Sequence, residues 1–140
     1  EERDWLAPIL NAGAAIAVDV TGTIHLVFQN SSDALHWARY SDDDGWTESN
    51  IAGGSNFPQR PSVAIAFDRC GAGHVTYVEA AGAGPVHYAR LVNDGAWEVD
   101  ATSGAFPDVH ASAVDIAVDP TTGAVHIVAA GGGSGLVHVW

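Results

Sequence analysis

Three short stretches of the chain alternate small with bulky apolar side chains and close on an aspartate: AAIAVD at 14–19, SVAIAFD at 62–68 and AVDIAVD at 113–119. A period of two over so few residues, bounded by turn formers, predicts β-strands. Each run leads into Asp-Val-Thr-Gly, Asp-Arg-Cys-Gly or Asp-Pro-Thr-Thr-Gly and then into a second apolar run. The glycine in each turn supplies the positive φ that a tight hairpin requires.

The pattern also recurs at long range. Asp19, Asp68 and Asp119 lie 49 and 51 residues apart, and His36, His87 and His138 lie 51 and 51 apart. Trp46 and Trp97 are again 51 apart. Within each period the predicted strands are 14–19, 23–28, 34–40 and 45–51, then 62–68, 73–79, 85–91 and 96–102, then 113–119, 124–130 and 136–140. Four-stranded units repeating at 40 to 50 residues are the mark of propeller blades.

The first strand of each unit, with alanine at every second position, suits the crowded centre of such a ring. The fourth, with tryptophan beside Thr, Glu and Asp, suits the wet outer edge. The expected architecture is therefore all-β, one propeller-repeat domain over 1–140, with blade one at 14–51, blade two at 62–102 and blade three at 113–140. Segment 3–9, RDWLAPI, resembles the fourth strands through Trp5 and is expected to complete blade three by velcro closure. Three blades are fewer than usually close a ring. Two copies are thus expected to form a six-bladed homodimer, unless the chain belongs to a longer propeller.

Composition narrows the partners. The 140 residues suit one domain, and 47% hydrophobic with 16% charged residues suits a folded core. Seventeen acidic residues against five arginines give a net charge of −12, which repels a phosphate backbone, so nucleic acid is not an expected partner. No apolar run is long enough to span a membrane as a helix. Cys70 is the single cysteine and is expected to be a small core residue. The seven histidines show no tight ligand spacing such as HxxxH, so neither metal nor cofactor is expected. His25, His74 and His126 hold one repeated position, which points to a structural bond from the second strand to the aspartate of the first hairpin.

The phrases AIAVDVTGTIHLVF, DALHWARY and DDDGW resemble the repeats of bacterial β-propeller proteins of the sialidase-type Asp-box and propeller-lectin kinds. The Asp-box pattern Ser-x-Asp-x-Gly-x-x-Trp is met only in part, by Asp19-x-x-Gly22-x-x-His25 and Asp68-x-x-Gly71-x-x-His74. No sialidase catalytic set maps onto the chain. The resemblance to propeller lectins implies glycan binding in pockets between adjacent blades, and a protein of that kind is expected outside the cell.

Residues suited to such pockets are Trp37 with Arg39, Tyr88 with Arg90, the fourth-strand Trp46 and Trp97, and His36 and His87. Aromatic faces stack on sugar C–H faces while arginine bonds hydroxyls or carboxylates; large aromatics equally suit packing between blades. The favoured function is non-catalytic carbohydrate binding. The alternatives are a polysaccharide lyase or hydrolase using Asp108, His110 and Asp115 at the channel mouth as an acid/base set, or a scaffold with no small ligand.

Overall fold

A computed structural model of the protein describes residues 13–29, 34–53, 62–78, 84–93, 95–99, 110–131 and 136–139. Segment 3–9, with its expected closing strand, and Trp140 lie outside the described residues, and the expected velcro closure lies there with them.

Three antiparallel sheets follow one another along the chain. Sheet one is a meander of β1 (Ala14–Val18), β2 (Ile24–Gln29), β3 (Ala34–Ser41) and β4 (Gly45–Gly53). Sheet two repeats it with β5 (Val63–Phe67), β6 (Gly73–Val78), β7 (Gly84–Asn93) and β8 (Ala96–Val99). A two-residue strand, β9 (His110–Ala111), pairs with Gly84 and Pro85 of β7. Sheet three contains β10 (Ala113–Val118), β11 (Val125–Ala130) and β12 (Leu136–Val139).

The aspartates that close the first strands are turn builders. Asp19 Oδ1 accepts the amides of Thr21 and Thr23 at 2.8 and 3.0 Å, and Asp68 Oδ1 those of Cys70 and Ala72 at 2.8 and 2.9 Å. Asp119 accepts Thr121 and Thr122 across a turn one residue longer. Gly22, Gly71 and Gly123 sit at the required positive φ of 89, 84 and 77°. These turns correct the expectation for Cys70. It is exposed, because the residue that gives its amide to Asp68 must sit at the tip of the hairpin.

The first strands β1, β5 and β10 pack side by side, and their two faces carry different sizes of residue. Ala15 and Ala17 of β1 lie beneath Ile65 and Phe67 of sheet two, in a core shared with Val27, Leu35, Trp37, Val75 and Tyr77. Ala64 and Ala66 of β5 lie in the same way beneath Ile116 of sheet three. Each sheet thus offers a small face to the next and a bulky face to the one before. Sheet two is covered on both sides, and every residue of β6 is buried.

The series leaves two unmatched ends. Ile16 and Val18, the equivalents of Ile65 and Phe67, are 66% and 59% exposed, and Val20 at the adjoining turn is 63% exposed. At the far end Ala113, Asp115 and Ala117 are exposed.

Candidate functional site

A chain of three side chains recurs at the sheet interfaces. In sheet one the Trp37 indole Nε1–H donates to His25 Nδ1 at 3.1 Å, and His25 Nε2 lies 3.2 Å from Asp19 Oδ2. Because the indole can only donate, His25 Nδ1 must carry the lone pair, and its Nε2–H points to the carboxylate. In sheet two the Tyr88 hydroxyl takes the place of the indole, 2.6 Å from His74 Nδ1, with Asp68 3.8 Å from Nε2. The bond from second-strand histidine to hairpin aspartate expected from the repeat is made by His25, whereas His74 stands only at ion-pair distance from Asp68. Both ring nitrogens of His25 are engaged, so it cannot serve as a free base.

In sheet three the ring partner is a second histidine: His126 Nδ1 lies 3.1 Å from His138 Nε2. The strand register explains this. Trp37 stands opposite Val27, Tyr88 opposite Thr76 and His138 opposite Val128, in each case two residues beyond the second-strand histidine. The 51-residue spacing groups His138 with His36 and His87, but structurally it occupies the position of Trp37 and Tyr88. From second-strand histidine to ring partner the chain runs 12 residues in sheets one and three and 14 in sheet two, so a constant 51-residue step does not keep to one strand position.

These environments move the titrations in one direction. Burial pushes His25 and His74 below the usual imidazole value of 6.5, against the pull of their aspartates. Partial burial would raise Asp19, but bonds from the Thr21 hydroxyl, His25 and the amides of Thr21 and Thr23 bring it down to about 2. Asp68 is lowered in the same manner by the amides of Ala72 and Cys70 and by His74. A folded-state pKa below the unfolded one means that the unfolded chain binds protons more readily, so stability falls as pH falls. Urea midpoints are therefore expected to drop once the pH passes below 6.5, as the histidines protonate, and to drop again from 3.8 toward 2 with Asp19. A midpoint unchanged between neutral pH and pH about 5 would contradict the histidine part.

Beside the first of these chains lies a cleft of about 630 Å³ between sheets one and two. Asp19, His25, Trp37 and Arg39 line one side, and Cys70, Gly71, Ala72, Arg90 and Asn93 the other. A smaller cavity of about 320 Å³ adjoins Trp37 and Arg39 and is bounded by Thr47, Glu48, Ser49 and Gly95. Arg39 Nε donates to Thr47 Oγ1 at 3.2 Å, and its guanidinium carbon lies 5.9 Å from the Trp37 ring centre. The hydroxyl of Ser49 is buried with no hydrogen-bond partner among the described residues.

The sequence-selected residues divide around this cleft. Trp37 and Arg39 border it from sheet one, and Arg90 adjoins it from β7, on the strand face that also carries Tyr88. Trp37 is only 2% exposed and Tyr88 6%, so each shows little ring face to a ligand, and Tyr88 packs toward sheet three. Trp97 meets Trp37 edge to face at 5.8 Å between the sheets. Trp46 pairs with Tyr40, on the other face of sheet one from Trp37 and Arg39. His36 stacks on Phe28 and pairs with Glu48, and His87 stacks on Tyr77; neither lines the cleft.

Of the alternative acid/base set, His110 and Asp115 fall among the described residues. Asp108 lies outside the described residues. His110 is exposed on β9, whose backbone pairs with Gly84 and Pro85 of β7. Asp115 lies on β10, where Oδ1 accepts the amide of Ile116 at 2.9 Å. Among the described residues no cluster of three or more His, Cys, Asp or Glu is placed to hold a metal. Asn93, Thr47 and Ser49 border the cleft or the cavity without any mark in the repeat pattern, since none recurs in every unit.

No protein-family model and no curated protein matches the sequence. Among solved structures, a fucose lectin from Kordia zhangzhouensis in complex with methyl-fucoside is similar over 91% of this chain and 92% of its own, at 18% identity and a TM-score of 0.53. A variant of AofleA from Arthrobotrys oligospora with three arginines changed to alanine is similar over 93% of this chain and 41% of its own, at 14% identity and a TM-score of 0.62. The likeness lies in the fold: an all-β chain of curled sheets consistent with β-propeller lectins.

Proposed function

We propose that the protein is a non-catalytic, carbohydrate-binding β-propeller whose sugar site is the cleft between the first two sheets. The observation that carries this is the cleft itself, about 630 Å³ and lined among others by Trp37, Arg39 and Asn93. Its size lies in the range of small-molecule sites, and few polar groups on rigid strands are what orient such ligands. Lectin neighbours of the same fold support the reading.

In this reading the three sheets are three propeller blades, with segment 3–9 completing the third. Two copies close a six-bladed ring, the bulky face of one chain's sheet one meeting the small face of the other's sheet three. Repeated inter-blade pockets then give avidity beyond that of a single site. The protein acts outside the cell.

The test is calorimetric titration with methyl-fucoside and with glycans selected on an array. Saturable binding that is lost in Arg39→Ala, with the unfolding midpoint retained, is the expected result. A blank array together with no calorimetric signal at millimolar sugar would end the proposal.

A further inference from the structure

We infer that His126 and His138 of sheet three form a chelating pair for a late first-row divalent cation of the zinc, nickel or copper kind, a site separate from the proposed sugar cleft. In sheets one and two the second-strand histidine is buried and its Nδ1 faces a tryptophan or a tyrosine, with an aspartate beyond Nε2. An indole has no lone pair to give a cation, and burial raises the Tyr88 hydroxyl above its usual value and keeps it protonated. Sheet three departs from both. Its ring partner is a second imidazole, with His126 Nδ1 3.1 Å from His138 Nε2. Among the described residues Asp119 makes no bond to His126; it accepts the amides of Thr121 and Thr122 in its longer turn. His126 is half-buried and His138 exposed, so the pair is open where its equivalents are shut.

Two nitrogens bound to one cation at about 2.0–2.1 Å, at adjacent corners of a tetrahedron or octahedron, stand roughly 2.9–3.4 Å apart. The pair already has that separation. Its ring centres are 5.3 Å apart and the ring planes differ by 12°, so nitrogen faces nitrogen edge to edge, with one proton between them. Turning the exposed His138 ring out of that line brings both lone pairs onto one point. Each neutral ring keeps a single N–H, and the ring that gave it to its neighbour carries it on its other nitrogen when the cation binds, so no proton is lost overall. The strands hold the spacing: His138 stands opposite Val128, two residues beyond His126, which puts both rings on one face of antiparallel β11 and β12. Asp115, paired with Val128 on β10, is exposed on the same face and adds a negative charge there. Two side chains make no closed structural site, so water fills the remaining positions. Imidazole selects zinc, nickel and copper over magnesium and calcium, which take oxygen ligands. In sheet one the same two positions, His25 and Trp37, line the cleft, so a second copy closing the ring would leave the pair on a cleft wall.

The experiment titrates the intact protein with zinc, copper(II) and calcium chlorides by calorimetry, and follows the zinc series by nitrogen-15 NMR of the imidazoles. One zinc per chain is expected to saturate below millimolar, with His126 Nδ1 and His138 Nε2 carrying the coordination shift. Copper should bind more tightly and calcium should not saturate. Changing a group that merely supports a ligand costs about 10- to 100-fold in metal affinity, so His126→Gln and His138→Gln, which remove a ligand, should each weaken zinc by about tenfold or more. His138→Gln, at an exposed position, guards against misfolding in the other variant, and His110→Gln, exposed on β9, should change nothing. Zinc should also raise the urea midpoint of the unaltered protein and leave that of His138→Gln where it was. No saturable binding of zinc or copper at millimolar ion, an affinity unmoved by both variants, an equal loss in His110→Gln, or calcium competing for the site would each overturn the inference.

Discussion

Under the proposed closure of the ring by two copies, changing Ile16 and Val18 together to serine is expected to leave single chains. Both side chains are mostly exposed, at 66% and 59%, so their loss removes little packing among the described residues. Their equivalents in the next sheet, Ile65 and Phe67, lie in the core between sheets one and two, with Ile65 only 8% exposed. Burying two such side chains contributes roughly 3 to 6 kcal/mol at each interface. The double variant should therefore weaken association by two orders of magnitude or more. Light scattering at micromolar protein reads this directly, and an unaltered protein that already runs as a single chain would contradict closure by a second copy.

The second large effect is on stability. Trp37→Ala removes an indole that is 2% exposed and packs with Leu35, Ile51, Val75 and Trp97 between the first two sheets. It also deprives His25 Nδ1 of its donor. Large aromatic deletions of this kind cost about 3–5 kcal/mol. Trp46→Ala, on the other face of sheet one and partly exposed, should cost only about 1 kcal/mol. Urea unfolding of the two variants side by side checks the contrast; equal losses would mean that Trp37 is not the packing residue described.

What is legible in the sequence is whatever is local. The first-strand alternation and the hairpins of Asp19, Asp68 and Asp119 depend on a few neighbouring residues, so period and turn chemistry suffice to place them. The bond from His25 to Asp19 is legible too, since both positions recur. Spacing misgroups His138 because a repeat distance counts residues, whereas ring partners are set by strand register, and the intervening loops differ in length. Composition misplaces Cys70 because a small apolar residue at the tip of a turn is exposed by its position, whatever its polarity. The cleft is only half visible. Strand alternation puts Trp37 and Arg39 on one face, but their burial and the approach of Arg90, Asn93 and Ser49 depend on how two sheets pack, which no short window records.

The two faces of sheet one also give the central claim its sharpest test. Trp37 and Trp46 sit on opposite faces, so their indole N–H resonances report on different surfaces. Nitrogen-15 NMR titration with methyl-fucoside and with a glycan selected on the array should shift the Trp37 Nε1–H and Arg39 Nε–H signals saturably and leave Trp46 unmoved. Shifts confined to Trp46 or to His110, or none at all with either sugar, would contradict a sugar site between the first two sheets.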